Sequence, residues 1–457
     1  MKKILVSVLL YLSLTSLIYA ADLMDVYRQA LENDPAFKAA YSTYMSTSEA
    51  IPQARASLLP QMSVRSQLSL NTQNVNAGSS LIISEAYRNS QWELSATQSI
   101  FNYKAWSRVQ QAKAQVKAAQ ATFNDAAQDL LLRTANAYLA VLLARDTLNY
   151  AEAKKRANTR QLDQATQRYK VGLDPITSVY DAQSGFDQSV AEVISAKNDE
   201  VNKNELLRKL TNHVYDNIAA LRNSDIPLIT PEPNNLEEWV SAGIKQNYKL
   251  FSFKYNLQAA REKIKAQSSG DWPVFGLKGQ SYNVRNTAGS GNFFVPNEQK
   301  TSVIAVTVDF PVFQGGLVAS ETKQAQFDFQ TASEQLEKTY RDVVVDTHIA
   351  FNRIIDGISK VKADRQTVSS RQNSVDSTES QFLVGTRTMV DVVNAQQRLF
   401  EAQQELAKDQ YSFIYAILNL KYLAGSLNVN DLEQINAWLA TTRINGLAPQ
   451  QRALDNS

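Results

Sequence analysis

The sequence predicts a mainly α-helical protein with a smaller β component, organised as two consecutive copies of one structural unit. Three observations lead to this fold class. Apolar residues recur every seven positions over long stretches, four segments alternate apolar and polar residues, and matching landmarks recur about 213 residues apart. A unit that recurs only twice indicates two half-chains related by pseudo-symmetry, because a solenoid needs several short repeats to bury its core.

The internal repeat is defined by landmarks that keep the same order in both halves. Three of the four pairs are separated by 213 residues and the fourth by 212. The pairs are Leu23 and Leu236, Pro60 and Pro273, Phe101 and Phe313, and Gly172 and Gly385.

The N-terminal segment, residues 1–20, has the pattern of a secretory signal peptide. Lys2 and Lys3 precede an apolar stretch that ends in a small residue, Ala20, after which cleavage is expected. Its two lysines are part of a total of 47 basic residues, so the mature chain would balance 45 basic against 45 acidic residues. This balance argues against a nucleic-acid partner, which requires a basic surplus.

The chain contains no cysteine. Disulfides, thiolate metal sites, a cysteine nucleophile and lipid attachment at an N-terminal cysteine are therefore excluded. The sequence predicts an exported protein that is not lipidated.

Each half begins with a predicted β-hairpin, over about residues 60–101 and about 273–313. Alternation marks the strands, and the segments Asn71–Ser80 and 289–292 are polar loops. The apolar positions of the three clear strands are Met62, Val64, Leu68 and Leu70; Trp92, Leu94, Ala96 and Ile100; and Ile304, Val306, Val308 and Phe310. A weaker strand is expected over Phe275–Val284.

Each hairpin is followed by a predicted pair of coiled-coil helices, over about residues 103–215 and about 317–425. Seven-residue spacing carries this prediction. The first helix, from Tyr103 to about Tyr169, would be roughly 100 Å long, whereas its return from Ile176 would cover only about 55 Å. The stretch Ala36–Ser57 is expected to complete the return. The heptad positions are Val109, Val116, Phe123 and Leu130; Tyr340, Thr347, Ile354 and Val361; and Leu399, Leu406, Phe413 and Leu420.

The alternating strands allow two interpretations. A strand with one apolar and one polar face fits a wall between lipid and water, but four strands cannot close a barrel, since bacterial membrane barrels begin at eight. Several chains would then have to contribute strands to one wall. The alternative is a soluble sandwich with its apolar faces packed together. The signal peptide and the long helices favour the first interpretation.

Ordered motifs along nearly the whole mature chain resemble the TolC-type outer membrane efflux proteins. They are LMDVY, SLLPQ, QSIF, RQLDQATQRYKVGL, QGGLV, KQAQFDF, ASEQLE, VGTRTMVDV and QELA, ending near Ser426. The resemblance implies a homotrimer in the outer membrane of a Gram-negative bacterium. Its long coiled-coil α-helical barrel would cross the periplasm and continue into a twelve-stranded transmembrane β-barrel in contact with lipid.

The resemblance also implies the domain organisation. Residues 21–234 and 235–427 would be the two structural repeats, each beginning with a helix of an equatorial collar, and residues 428–457 a further collar helix with a loose tail. The implied function is that of a passive exit duct for tripartite efflux pumps, type I protein secretion or both. A periplasmic adaptor (membrane fusion) protein would connect it to an inner-membrane RND, ABC or MFS transporter. The alternative is a periplasmic coiled-coil scaffold without a channel.

The two turns between the long helices carry the implied functional sites. In the proteins that this sequence resembles, these turns form the periplasmic entrance and bind the adaptor. The corresponding docking residues are Val171, Gly172, Leu173, Val384, Gly385 and Thr386. The corresponding residues of the gate are Asp174, Thr177, Ser178, Phe382, Arg387, Asp391 and Asn394.

The gate departs from the family pattern at three positions. Asn394 stands where the family has the second of two acidic residues, Ser178 where it has an aspartate and Phe382 where it has a tyrosine, whereas Thr177 matches. Arg387, which matches the family's arginine, therefore needs another anion. The candidates are Asp174 on the first turn and Asp391 one helical turn further on.

An enzyme is the competing class of protein, and the sequence offers little for it. The two histidines, His213 and His348, lie far apart, and Gly315-Gly316 lacks the context of a phosphate-binding loop. No catalytic residue, metal ligand or cofactor is therefore expected. Trp92, Phe101, Phe310 and Phe313 fit either an interfacial aromatic girdle or ordinary core packing.

Overall fold

A computed structural model describes residues 20–76, 82–215, 217–222, 226–288 and 298–439. The expected signal peptide up to residue 19, the expected loop at 289–292 and the expected tail from residue 440 lie outside these residues. Contacts divide the chain into two compact units. The first comprises Met1–Ala40, Asn124–Tyr248 and Arg341–Ser457, and the second comprises Tyr41–Phe123 and Lys249–Tyr340.

The elements follow one another in the same order in both halves of the chain. The first half contains α1 (Leu23–Asn33), α2 (Pro35–Ser48), α3 (Ala50–Ala56), β1 (Gln61–Asn76), β2 (Ile82–Phe101), α4 (Tyr103–Lys170) and α5 (Ile176–Thr211). The second contains α6 (Leu236–Gln246), α7 (Tyr248–Ser268), β3 (Val274–Ala288), β4 (Glu298–Asp309), α8 (Leu317–Leu383) and α9 (Met389–Leu423), followed by α10 (Val429–Asn436).

The four strands form one antiparallel sheet in the order β1-β2-β3-β4. Val64 pairs with Leu94, and Gly279 of β3 pairs with Ile304 of β4. β1 continues to Asn76, so the prediction of a loop from Asn71 onward was wrong. Polar side chains do not end a strand while its backbone partners persist, and the ladder here continues through Asn71 opposite Tyr87.

The two faces of the sheet differ sharply in polarity. One face carries large apolar side chains that are strongly exposed, including Leu70 at 81% and Ile304 at 84%. The other face is linked by polar contacts across the strands. The Ser63 and Ser95 hydroxyls lie 2.8 Å apart, and the Gln280 amide donates to Glu93 at 2.8 Å.

Within the second unit, shorter helices pack beside the long ones. Tyr41 and Tyr44 of α2 contact the Phe123 ring of α4, with ring centres 5.7 and 5.8 Å apart. In the other half, Lys263 of α7 bonds Asp328 of α8 at 2.8 Å. The stretch Ala36–Ser57 is thus helical and lies beside α4, as its sequence position predicts.

The long helices have nearly equal lengths in the two repeats. α4 and α8 contain 68 and 67 residues, and the returning helices α5 and α9 contain 36 and 35. None of the helices in the described ranges is both long and apolar enough to cross a membrane.

The core of the first unit joins helices from both repeats. Leu23 of α1, Leu142 of α4, Leu207 of α5, Ile354 of α8 and Leu418 of α9 belong to one cluster and are at most 1% exposed. Tyr138 lies in the same cluster and donates its hydroxyl proton to the Ala219 carbonyl at 2.6 Å. This cluster anchors the bases of the two helical hairpins from which the turns project.

Candidate functional site

The first turn connects α4 to α5 through residues 171–175. Gly172 has a φ of +75°, which favours glycine, and its amide donates to the Tyr169 carbonyl at 2.9 Å. The Leu173 amide donates to the Arg168 carbonyl at 2.9 Å. These two bonds form a Schellman motif that ends α4. Pro175 then occupies the N-cap of α5.

The second turn, residues 384–388, repeats this backbone pattern between α8 and α9. Gly385 has a φ of +78° and donates to the Phe382 carbonyl at 3.0 Å, and the Thr386 amide donates to Gln381 at 2.9 Å. Thr388 and Asp391 form a capping box at the start of α9. The backbones of the two turns are therefore equivalent, and their difference lies in the side chains.

The docking residues expected on the two turns are accessible. Val171, Leu173 and Val384 are 69%, 67% and 75% exposed although they are apolar. Gly172, Gly385 and Thr386 are exposed beside them. Exposed apolar side chains grouped at a turn are typical of a surface that contacts another protein.

Asp174, one of the two expected partners of Arg387, is paired with a different arginine. Arg168 of α4 donates from Nε to Asp174 Oδ2 at 2.8 Å and from Nη2 to Oδ1 at 3.1 Å. The Arg168 and Asp174 side chains are 21% and 11% exposed. The hydrogen bond from Asp174 raises the pKa of the Arg168 guanidinium, so this bidentate pair remains charged.

Arg387 makes weaker contacts within the chain. Its Nε donates to Gln381 Oε1 at 3.2 Å, and Nη1 lies 3.8 Å from Asp391 Oδ1. The Arg387 side chain is 55% exposed. Of the two expected anions, Asp391 is the one that approaches it, at the limit of an ion pair.

Asp391 is held mainly by the start of its own helix. Its Oδ2 accepts hydrogen bonds from the Thr388 amide at 3.0 Å and the Thr388 hydroxyl at 2.9 Å. These bonds, the backbone bond first, lower the pKa of Asp391 below its usual value, and the Arg387 charge acts in the same direction. The carboxylate is therefore ionised at neutral pH. Asn394, three residues further on, is exposed.

Phe382 lies in a small apolar cluster that connects the two hairpins. It is 6% exposed and packs with Ala165 of α4, Ala182 of α5, and Met389 and Val392 of α9. The Arg168 guanidinium carbon lies 5.1 Å from the centre of the Phe382 ring, within cation–π range. Ser178 donates its amide to the Pro175 carbonyl at 3.1 Å, and Thr177 is exposed nearby.

Arg168 is the residue of this site that the sequence analysis missed. The repeat register contains the signal that reveals it. Arg168 and Asp174 stand 213 residues before Gln381 and Arg387. The first turn thus has a complementary ion pair at the positions where the second has an amide and an arginine.

The described residues contain no group of three or more His, Cys, Asp or Glu side chains arranged to hold a metal ion. His213 contacts the Tyr215 ring edge-on, with ring centres 4.9 Å apart. The chemistry of the site consists instead of charges and apolar residues on two turns at the ends of long helices.

These features define a class of protein: a membrane-associated, repeat-built chain in which an amphipathic sheet is combined with long helical hairpins that end in matched turns. The sequence model of the family described as outer membrane efflux protein matches it twice, over residues 26–213 and 239–426. The chain belongs to this family and is an outer membrane protein. The double match confirms the predicted internal repeat, with the same separation of 213 residues.

Individual relatives agree with this assignment. The outer membrane protein TolC of Escherichia coli (strain K12) is 35% identical over 463 aligned residues, which cover 98% of this chain and 92% of that protein. The alkaline protease secretion protein AprF of Pseudomonas aeruginosa is 27% identical, with coverage of 95% and 90%. Both are named as outer membrane or secretion proteins, not as enzymes.

A solved structure confirms the predicted fold class. The outer membrane protein VceC from Vibrio cholerae superposes with a TM-score of 0.75 at 16% identity, covering 88% of this chain and 96% of that one. At this identity the comparison establishes the fold alone.

Proposed function

We propose that the chain is one subunit of a trimeric channel that serves as a passive exit duct for tripartite efflux, type I protein secretion or both. The observation that carries this proposal is the sheet. Its exposed apolar face fits lipid and its hydrogen-bonded polar face fits a water-filled lumen. Four strands are too few to close a barrel, so β1 and β4 need strands from other copies. Three copies, the number implied by the family resemblance, would supply twelve strands.

The returning helix α5 also favours an oligomer. Tyr180, Ile194 and Val201 lie at seven-residue intervals and are 67%, 65% and 52% exposed. An exposed apolar stripe with heptad spacing is typical of a helix that packs against another helix. A neighbouring copy of the chain would cover this stripe.

We assign adaptor docking to the exposed residues of the two turns, Val171, Gly172, Leu173, Val384, Gly385 and Thr386. A periplasmic adaptor would contact these turns and connect the duct to an inner-membrane RND, ABC or MFS transporter. Export of proteins is supported by the name of the relative AprF. Crosslinking at Leu173, followed by identification of the captured transporter, would establish the cargo class.

We assign the gate of the periplasmic entrance to Asp174, Thr177, Ser178, Phe382, Arg387, Asp391 and Asn394. Their charges and packing lie within or immediately beside the two turns. The proposed domain organisation remains a signal peptide at 1–20, repeats at 21–234 and 235–427, and a collar helix with tail at 428–457.

The test is reconstitution of the purified full-length protein in planar lipid bilayers, together with electrophoresis without heating. A duct gives discrete conductance steps and a heat-stable, SDS-resistant trimer in outer-membrane fractions. A soluble elongated dimer that gives no conductance would instead support the periplasmic scaffold.

A further inference from the structure

The two turns contain side-chain pairs at equivalent positions, but their chemistry is inverted. In the first turn the earlier residue is the cation Arg168 and the later one the anion Asp174. In the second turn the equivalent residues are the neutral Gln381 and the cation Arg387. Both pairs are six residues apart, and both are in hydrogen-bond contact.

The first pair is closed on itself. Two charge-assisted bonds join Arg168 to Asp174, and both side chains are mostly shielded from solvent. The second pair consists of one 3.2 Å bond to an amide, and the Arg387 side chain is more than half exposed. The first turn is therefore the more rigid and electrically satisfied of the two.

Arg168 also reaches the other hairpin. Its guanidinium faces the Phe382 ring at 5.1 Å, one residue before the end of α8. Asp174 fixes the guanidinium through two bonds, which leaves its planar face available to the ring. Phe382 in turn is held by Ala165, Ala182 and Met389, so it has little room to move away.

We propose that Arg168 is a positioning residue that couples the two turns of one chain: Asp174 holds its guanidinium on the Phe382 ring, and this contact keeps the tip of α8 against the first hairpin. The proposal rests on the proposed function, in which these tips close the channel entrance. Widening the entrance requires the hairpins to move apart, so a contact between their tips favours the closed state.

The inference assigns a role to Phe382 that needs no hydroxyl group. A phenylalanine cannot donate a side-chain hydrogen bond, but its ring face attracts a cation. The coupling therefore passes through the ring and depends on the orientation of Arg168. Lysine at position 168 would keep the charge but lose the bidentate geometry.

The experiment compares single-channel recordings of wild type, Arg168→Ala, Phe382→Leu and the double variant in planar bilayers. Arg168→Ala is expected to raise the open probability on the order of tenfold, within the range typical of coupling between sites. Arg156→Ala is the matched control. Arg156 is an exposed arginine of the same helix, paired with Glu152 at 3.6 Å, and its removal should leave the recordings unchanged.

The double variant distinguishes coupling from a general loss of packing. If Arg168 acts through Phe382, then Arg168→Ala has no further effect in the Phe382→Leu background. Independent, multiplicative effects would overturn the proposal, as would unchanged gating in Arg168→Ala. Melting of the SDS-resistant trimer should stay at the wild-type temperature in Arg168→Ala, whereas a lowered melting temperature with unchanged gating would indicate a structural role alone.

Asp174→Asn provides a second variant if Arg168→Ala fails to assemble. It preserves the shape of the side chain but removes its charge, and it should raise the open probability in the same direction. A wild-type protein that gives no conductance would contradict the proposed function. A conducting wild type with unaltered Asp174→Asn gating would contradict this inference alone.

Discussion

At the scale of single residues, the second turn contains an ionised carboxylate next to an amide. Asp391 accepts two hydrogen bonds from Thr388, which lower its pKa, whereas Asn394 on the same helix has no charge. In the proposed trimer the entrance would thus contain one ring of carboxylates. The attraction of a multivalent cation grows with the number of clustered charges.

Asn394→Asp should therefore strengthen block by hexaamminecobalt. Adding a carboxylate to each chain is expected to lower the blocking concentration about tenfold, equivalent to about 1.4 kcal/mol. Block is measured in single-channel recordings. Asn198→Asp on α5, distant from the turn in sequence, is the control, and unchanged block in Asn394→Asp would contradict the prediction.

Arg387→Ala should raise the single-channel conductance if Arg387 latches the entrance. Within one chain this arginine makes only a 3.2 Å amide contact and a 3.8 Å ion pair. Its exposed guanidinium is therefore available to a neighbouring subunit. Arg371→Ala, an exposed arginine of the same helix, should leave the conductance unaltered. Equal conductance in Arg387→Ala and wild type would mean that packing alone closes the entrance.

At the scale of elements, several glycines with positive φ end helices, but they differ in their surroundings. Gly172 has a φ of +75° with no atom within 4 Å of an added Cβ. Gly425, after α9, has a φ of +70°, and an added Cβ would lie 2.3 Å from the Gln246 carbonyl oxygen at the end of α6. The first position requires glycine for conformation alone, and the second requires it also for close backbone contact.

Gly425→Ala should consequently destabilise the protein more than Gly172→Ala. Both variants incur the left-handed conformation, about 1–2 kcal/mol. Only Gly425→Ala adds steric overlap, typically about 1–3 kcal/mol. Chemical denaturation of the purified protein measures the difference. An equal loss of unfolding free energy in both variants would show that α6 moves aside without cost.

The pairing of α8 with α9 includes a crowded group of charges. Lys360 bonds Asp409 at 2.9 Å and Glu405 at 3.2 Å. Partial burial, together with the neighbouring Asp409 carboxylate, raises the pKa of Asp364 to about 6. Lys360 opposes this shift, and Glu405 adds to it.

This raised pKa predicts a pH-dependent stability. The folded state favours the protonated form of Asp364, so its contribution is fully present below the pKa of the unfolded chain and is lost as the pH rises through about 6. Asp364→Asn should raise the melting temperature at pH 8 and make no difference at pH 4. Asp376→Asn, on the same helix, is the control. A gain that is equal at both pH values would contradict the assignment.

At the scale of the whole molecule, one chain leaves two surfaces incomplete: the outer strands of its sheet and the apolar stripe on α5. Both can be completed by the same neighbouring copies, because the chain repeats its own plan and three chains would place six similar units around one axis. Assembly and channel formation would therefore depend on each other.

Ile194→Lys should prevent or weaken trimer formation. A charged side chain in a helix-packing stripe loses apolar burial and must be desolvated. Ser195→Lys introduces the same side chain at the adjacent exposed position, about 100° around the helix, and should preserve the SDS-resistant trimer. A stable trimer in Ile194→Lys would show that this stripe faces no other subunit.

Sequence alone determined the repeat, the strand positions and the long helices, because each depends on a period that neighbouring residues express locally. Seven-residue spacing located α4 to within one residue of its end at Lys170. It overestimated the loop after Leu70, because strand length depends on the partner strand. Only the tertiary structure decided the charge pairing at the turns, since Arg168 and Arg387 are both within reach of an acid and only folded geometry selects Asp174 for the first. The coupling through Phe382 has the same origin: it joins residues 214 positions apart, and no local pattern records such a contact.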